Sequence, residues 1–487
     1  MNYKMIGRFL GLIVSVEAVF LLPALGISLG YGEWIAARSF LITFAIMAAV
    51  AGILLWLGRR AGKLFGAREG MVSVSLGWLV LSALGCLPFV ISGEIPRYVD
   101  AFFEIVSGFT TTGASILEGY QLESLSKGIL YWRSFSHWLG GMGVLVFLLA
   151  VSPGDQGGFT MHLMRAESPG PDVGKLVPRM KKTATILYLI YIVLTAVDVV
   201  LLLCGGEMNW LDALCTAFGT AGTGGFGVRG DSIASYGAYT QNVTTVFMFL
   251  FGVNFSCYYL LLLGKLKSVF KDQELRTYVL LALTVIVLIA FNVRDLYGTM
   301  EETIRHSAFQ VGSVMTTTGF ATTDFNTWPM FSKGLIMLLM LVGACAGSTG
   351  GGFKVGRLLL VFKSLRRNIH RVMNPKKVEV VRLGSRPVSE TVLDNTNAYM
   401  AAYVVIIVLS YLVISVDGFV DSVETGLTAV LACFNNIGPG LGLVGPSGNY
   451  AGFSDFSKVI LSVDMLAGRL EIFPILILFS RGTWKGR

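Results

Sequence analysis

Charge is scarce in this chain. Of its 487 residues only 14% are Asp, Glu, Lys or Arg, against roughly a quarter in soluble globular domains, which excludes an ordinary cytosolic enzyme. Histidine is scarcer: His137, His162, His306 and His370 are the whole set, and none pairs at metal-ligand spacing. Six cysteines (Cys86, Cys204, Cys215, Cys257, Cys345 and Cys433) stand singly in apolar surroundings with no CxxC, so neither a disulfide framework nor a thiolate metal site is indicated. HExxH, GxSxG and a phosphate-binding loop are likewise missing. The sequence offers little for covalent or metal catalysis, and neither an enzyme nor a resident cofactor is expected.

What is present is apolar. Hydrophobic residues make up 54% of the chain and the mean hydropathy is +0.68, the signature of a polytopic membrane protein. Ten apolar spans are expected, at 5–29, 39–57, 71–92, 129–151, 184–204, 240–263, 277–292, 330–362, 397–416 and 457–480. The first is too long for a signal sequence, carries Glu17 and is expected as a retained helix. Segments 1–8, 58–69, 153–182, 264–276, 354–386 and 481–487 hold 28 of the 38 Lys and Arg residues. They alternate with poor segments as cytoplasmic loops should, which places both termini inside and requires an even number of crossings.

Four apolar stretches are too short to cross: 99–110, 210–220, 301–315 and 421–434. As helices at ~1.5 Å per residue they reach about half of a ~30 Å hydrocarbon core. All lie on the positive-poor side, and each runs into a glycine-containing polar cluster. The first is Gly108-Phe109-Thr110-Thr111-Thr112-Gly113-Ala114-Ser115 and the second Thr220-Ala221-Gly222-Thr223-Gly224-Gly225-Phe226. The third is Thr316-Thr317-Thr318-Gly319-Phe320-Ala321 and the fourth Asn435-Asn436-Ile437-Gly438-Pro439-Gly440. Aligned on Gly113, Gly224, Gly319 and Gly438, they recur as four units of helix, half-helix, loop and helix. Four such units about an axis enclose a passage. Irregular backbone inside a membrane must be buried or line a watery cavity, and inward carbonyls can replace a cation's hydration shell. The half-helices would enter from outside, with Asp100, Asp212, Glu302 and Asp421 near their positive N-terminal ends. The bland alternative is four loops that merely let helices pack closely.

The span 330–362 is interrupted by Gly347-Ser348-Thr349-Gly350-Gly351-Gly352, followed by Phe353-Lys354. No Gly-Lys-Ser/Thr follows and no strand precedes, so nucleotide binding is rejected there. The break falls within the span and suggests either a constriction below the filter or a packing kink. Arg469 lies inside the span 457–480 beside Asp464 and Glu471. A buried arginine costs at least ~2.5–3.5 kcal/mol at mid-membrane, so it is read as a barrier to cations, or as a charge neutralised by one of those acids. From Lys363 to Arg386 the chain is strongly basic, which suits either anionic lipid or a docking partner. Nothing indicates nucleic acid.

These motifs resemble the Trk/Ktr/HKT superfamily of potassium-translocating subunits. The resemblance spans essentially the whole chain. It is carried by Ser107-Gly108-Phe109-Thr110-Thr111-Thr112-Gly113-Ala114, His137-Trp138-Leu139-Gly140-Gly141-Met142-Gly143, Thr316-Thr317-Thr318-Gly319-Phe320 and Gly468-Arg469-Leu470-Glu471. It implies an all-α polytopic membrane protein with four pseudo-fourfold pore repeats around a central pore, preceded by an extra two-helix hairpin. The expected divisions are the hairpin at 1–69, repeat 1 at 70–152, loop and repeat 2 at 153–270, and repeat 3 at 271–363. A basic linker at 364–392 and repeat 4 at 393–487 complete them. It further implies K⁺ held by carbonyls of Thr111, Thr112, Gly222, Thr223, Thr317, Thr318, Asn436 and Ile437 with Gly113, Gly224, Gly319 and Gly438. Residues 347–352 and Arg469 would form the gate. A homodimer, a cytoplasmic nucleotide-binding ring of the TrkA type built of RCK domains, and a bacterial inner membrane are what the resemblance implies. The competing expectation is a secondary carrier coupled to H⁺ or Na⁺.

Overall fold

A computed structural model describes residues 1–60, 66–143, 180–376, 378–384 and 386–484. Among them the regular structure is helical apart from one short hairpin, β1 (Arg382–Leu383) paired antiparallel with β2 (Arg386–Pro387) in the basic linker. The helices are α1 (Tyr3–Gly30), α2 (Trp34–Gly58), α3 (Ala67–Gly85), α4 (Leu87–Ser92), α5 (Tyr98–Phe109), α6 (Gly119–Ser124) and α7 (Lys127–Gly141). There follow α8 (Met180–Cys204), α9 (Trp210–Gly222), α10 (Ala238–Phe251), α11 (Phe255–Leu262), α12 (Leu266–Phe270), α13 (Gln273–Val293) and α14 (Met300–Met315). The last are α15 (Met330–Val342), α16 (Val355–Met373), α17 (Glu390–Ile414), α18 (Val423–Phe434), α19 (Asp455–Arg469), α20 (Phe473–Phe479) and α21 (Arg481–Trp484).

Six helices among the described residues are long and apolar enough to cross a membrane, or seven if α10 and α11 count as one bent span. The four half-length segments fold as expected, into α5, α9, α14 and α18 of 12, 13, 16 and 12 residues. Three begin on side-chain caps that satisfy orphan amides: Asn209 for α9, Thr299 for α14 and Ser422 for α18. Each carries an acid in its first turn. In the fourth this is Glu424, because the helix starts at Val423, and the expected Asp421 lies near that N-terminus, just ahead of it. Asp421 precedes the cap and accepts from the hydroxyls of Ser422 and Thr425.

The packing of these short helices follows one rule. Each lies between the helix that follows it and the corresponding helix of the preceding unit. Thus α5 touches α7 and α19, α9 touches α10 and α7, α14 touches α15 and α10, and α18 touches α19 and α15. The series closes on itself. The N-terminal hairpin α1–α2 attaches outside it, with the Glu33 carboxylate accepting from the Lys127 and Gly128 amides at 2.7 and 3.2 Å. Those are unpaired donors of the first turn of α7, where a carboxylate is favoured.

The helices after the loops break more often than expected. Helices α7, α10, α15 and α19 all stop after 13–15 residues, where only the third was expected to be interrupted. The span 240–263 bends by 88° between α10 and α11, at Gly252 and the capping side chain of Asn254. The span 457–480 breaks where Glu471 and Ile472 take φ of 57° and 66°, a conformation costly for a β-branched residue. The rest of the span 129–151 and the division at 152/153 lie outside the described residues.

Between α17 and α18 the Asp417 carboxylate ties this loop to the start of α19. It accepts from Ser454 N at 2.9 Å, Ser457 Oγ at 2.6 Å and Phe419 N at 3.1 Å. Partial burial alone would raise its pKa, but these donors hold it down to about 2. The stabilisation is therefore fully present above the unfolded carboxylate value near ~4 and is lost as pH falls toward about 2. Asp417→Asn is expected to lower the melting temperature at pH 7 and to narrow the gap to wild type below pH ~3. A gap independent of pH in detergent melting curves contradicts this.

Candidate functional site: a closed circuit of four glycine loops

Each short helix ends in the same backbone turn. A non-glycine residue in left-handed conformation comes first: Thr111 (φ 56°), Thr223 (54°), Thr317 (60°) and Asn436 (56°). The next amide folds back on the carbonyl five residues earlier, Thr112 on Ser107, Gly224 on Gly219, Thr318 on Ser313 and Ile437 on Ala432, at 2.8 Å in every copy. The third residue is a glycine with positive φ: Gly113 (82°), Gly225 (73°), Gly319 (86°) and Gly438 (94°). Left-handed threonine and asparagine are uncommon, and their recurrence at one position shows that the surrounding structure imposes the turn.

This register corrects the alignment of the second copy by one residue. Gly225, and not Gly224, is the partner of Gly113, and Thr223-Gly224 corresponds to Thr111-Thr112. Two consecutive glycines hid the shift. Gly224 is a glycine for another reason: a Cβ there would overlap the ring of the buried His137. His137 Nδ1 pairs with Gly108 O at 2.8 Å and its ring lies 4.1 Å from Phe226. It packs between loops 1 and 2, a role its place in the sequence does not disclose.

The glycines also define the order of the loops. A Cβ on Gly113 would run into Gly224 O, one on Gly225 into Thr318 O, and one on Gly319 into Ile437 O. A Cβ on Gly438 would come within 2.7 Å of Thr112 O. Every glycine thus faces the carbonyl at the middle position of the next loop, and the fourth faces the first. Thr110, Thr111, Thr112, Thr316, Thr317, Thr318, Thr223 and Asn436 are all buried. Loops 1 and 3 share a further bond, Thr110 to Thr112 and Thr316 to Thr318 between hydroxyls at 2.7 Å. Loop 2 has glycine at both corresponding positions. Loop 4 has Asn435, which accepts from Tyr403 Oη at 2.8 Å, and Ile437.

The interrupted third unit lies against this circuit. Gly351 N donates to Thr317 Oγ1 at 2.6 Å, and Gly350 approaches Thr316 O. On its other sides the segment meets the break between α10 and α11 through Phe255 N on Gly347 O (3.0 Å) and Cys345 N on Gly252 O (3.1 Å). Glu274 of α13 clamps both ends, accepting from Ala346 N at 2.6 Å and Gly356 N at 2.9 Å. Lys354 turns back and donates Nζ to Gly350 O, so the lysine that mimics a phosphate loop is used by its own backbone.

Arg469, the last residue of α19, reaches the same segment. Its guanidinium donates to Thr349 O at 2.9 Å and, across the molecule, to Gly141 O at 2.7 Å and to Gly140 O. The two nearby acids are engaged elsewhere: Glu471 pairs with Arg357, and Asp464 accepts from Ser410 Oγ at 2.8 Å. The expected loop residues 347–352 and Arg469 are therefore brought together, along with Lys354, which the sequence offers only as a near miss to a phosphate loop, and Glu274, which no local pattern marks. Among the described residues no group of His, Cys, Asp or Glu could hold a metal ion.

The chain matches, over residues 36–484, a family model described as TrkH, cation transport protein. The Trk system potassium uptake protein TrkH of Salmonella typhimurium is 38% identical over 493 residues, covering 100% of both chains. That of Escherichia coli K12 is 37% identical with the same coverage, and the Trk system potassium uptake protein TrkG of the same organism is 32% identical over 99% of each chain. The crystal structure of the potassium transporter TrkH from Vibrio parahaemolyticus superposes with a TM-score of 0.88 at 30% identity, covering 100% of both chains.

Proposed function

The chain belongs to the TrkH family of cation transport proteins and is a multi-pass membrane protein, and on that footing we propose that it is the potassium-translocating pore subunit of a bacterial uptake system. The observation that carries the reading is the closed circuit of four glycine loops. On this reading carbonyls of Thr111 and Thr112, Thr223 and Gly224, Thr317 and Thr318, and Asn436 and Ile437, which hold equivalent positions in the four turns, would face a common passage, with Gly222 just before the second pair. Such a cage exchanges hydration for protein oxygens and needs no acidic ligand. Potassium is the transported ion, and the protein is a transporter and not an enzyme. The hairpin at 1–69 buttresses four pore repeats, and both termini face the cytoplasm of a cell whose inner membrane holds the protein.

In this reading residues 347–352 and Arg469 close the passage below the filter. The coupled-carrier alternative predicts two related halves, whereas the packing rule here repeats four times. Reconstituted into vesicles, the chain is expected to pass K⁺ down its gradient without H⁺ or Na⁺. Strict dependence on a proton or sodium gradient would favour the carrier.

The subunit works as a homodimer under a soluble nucleotide-binding ring of RCK domains, with the basic linker facing ring and anionic lipid. Within it Arg367 is already paired with Glu390 at 2.6 Å, and Lys363 just before it donates to Gln273 Oε1 at 2.6 Å, while Arg366, Arg371 and Lys376 are exposed. Lys377 lies outside the described residues. Lys376→Glu with Lys377→Glu is expected to weaken activation by the ring at physiological salt and to leave K⁺/Na⁺ discrimination unchanged. Normal binding and activation would reduce the segment to a topology signal.

A further inference from the structure

One charged pair is fully buried behind the circuit. Arg133 of α7 and Glu104 of α5 are 3% and 0% exposed, and Arg133 Nε donates to Glu104 Oε1 at 2.6 Å. Neither charge would be tolerated there alone: an unpaired buried ion is far costlier than a polar group, and the pair persists only if its remaining donors and acceptors are met. They are met, and the partners are the loops themselves.

Glu104 Oε1 also accepts from Ser115 Oγ at 2.9 Å, and Oε2 accepts from Ile116 N at 2.9 Å, just past loop 1. Arg133 Nη2 donates to Ser115 Oγ and Nη1 to Gly227 O, just past loop 2, both at 3.2 Å. Its guanidinium carbon sits 3.5 Å from the centre of the Phe226 ring, a cation–π contact. Ser115 O in turn accepts from Tyr450 N at 2.9 Å, and Tyr450 Oη donates to Gly438 O at 2.8 Å, the glycine of loop 4. One ion pair therefore holds the outer ends of loops 1 and 2 at a fixed separation and reaches loop 4 through one tyrosine.

The other copies are built differently. Seven residues before the left-handed position stand Glu104, Thr216, Gln310 and Ala429, so an acid occurs at this position in the first copy alone. Discrimination between cations of different radius depends on where the carbonyl dipoles sit and how far they can yield. A planar, five-donor guanidinium fixed by a carboxylate, a hydroxyl, a carbonyl and a ring is the most rigid support a side chain offers.

We infer that the Arg133–Glu104 pair is a positioning element that sets cation discrimination by fixing loops 1 and 2 relative to each other. It touches no ion and acts through Ser115, Ile116 and Gly227. The inference rests on the reading of the loops as a potassium filter.

Its test is the K⁺/Na⁺ permeability ratio of the full chain in vesicles, with yield and melting temperature in detergent measured beside it. The variants are Ser115→Ala, which opens the network without stranding a charge, and the double replacement Glu104→Leu, Arg133→Met, which removes both charges together. Thr216→Val at the corresponding place in the second copy is the control. Displacing a preorganised group by a fraction of an ångström costs roughly tenfold, so the ratio is expected to fall about 3- to 10-fold in Ser115→Ala and at least as far in the double variant. It should stay at wild type in Thr216→Val.

A ratio unchanged in Ser115→Ala, whatever its melting temperature, overturns the inference and leaves the pair a folding element. So does an equal fall in Thr216→Val. If the wild-type chain itself passes K⁺ and Na⁺ alike, the filter reading fails and takes this inference with it. A selective wild type with unaltered variants removes the inference alone.

Discussion

Deleting residues 347–352, or replacing Arg469 by alanine, is expected to raise K⁺ flux through the reconstituted chain in the absence of any activating partner. The structure gives the reason in two parts. The segment packs against loop 3, bonded to Thr317 and close to Thr316, and if ions pass through the circuit, as proposed, its backbone would narrow their path sterically. Arg469 is anchored to that segment at Thr349 O and to the end of α7 at Gly141 O, so its positive charge is held between the two. Two unit charges at ~4 Å repel by about 4 kcal/mol at an effective dielectric of 20. Added wholly to the barrier, that amounts to about a thousandfold in rate at ~1.4 kcal/mol per tenfold. The alanine variant loses the charge and also frees Thr349 O, so both effects act in the same direction. The K⁺/Na⁺ ratio should largely survive, because the circuit keeps its own bonds. A lower flux in both variants, with normal assembly, would make these residues supports of the passage and not its closure.

How much of this could be read from the sequence depended on whether the signal was local. The half-helices were legible because a short apolar run, an N-terminal acid and a terminal glycine cluster are all contiguous, and α5, α9, α14 and α18 begin and end within a few residues of the expected bounds. The interruption at 347–352 was legible because four of its six residues are glycine. The breaks at 252–254 and 470–472 were not. Residues such as Val253, Leu470 and Ile472 read as continuous apolar span, and their bends are imposed by neighbours. The same holds for loop 2, where Gly224 and Gly225 cannot be told apart in sequence. Only the contact of one with His137 and of the other with Thr318 O separates them. Clamps built from residues far apart in the chain, such as Glu274 on Ala346 and Gly356, leave no mark on local pattern at all.

That distinction sharpens the second large effect. Gly113→Ser is expected to collapse K⁺ over Na⁺ discrimination, and Gly225→Ser should match it. Two costs coincide at each position. The backbone sits at φ of 82° and 73°, a conformation that costs a residue with a Cβ about 1–2 kcal/mol, and the added carbon would strike a carbonyl of the next loop, Gly224 O or Thr318 O. Those carbonyls occupy the middle position of the neighbouring loop, so on the proposed filter reading relief of the clash would displace oxygens that coordinate the ion. A displacement of that kind is repaid on larger and smaller cations unequally. A loss of order tenfold or more in the K⁺/Na⁺ permeability ratio follows from the ~1.4 kcal/mol-per-tenfold scale. Gly224→Ser differs, since its added carbon meets the imidazole of His137, and His137→Ala together with Gly224→Ser should recover part of the ratio. The same removal cannot rescue Gly113→Ser or Gly225→Ser, whose obstacles are backbone. Measured in reconstituted vesicles, unchanged ratios for Gly113→Ser and Gly225→Ser would mean that ions do not pass through this circuit. Rescue of Gly225→Ser by His137→Ala would instead mean that the second loop is registered on Gly224.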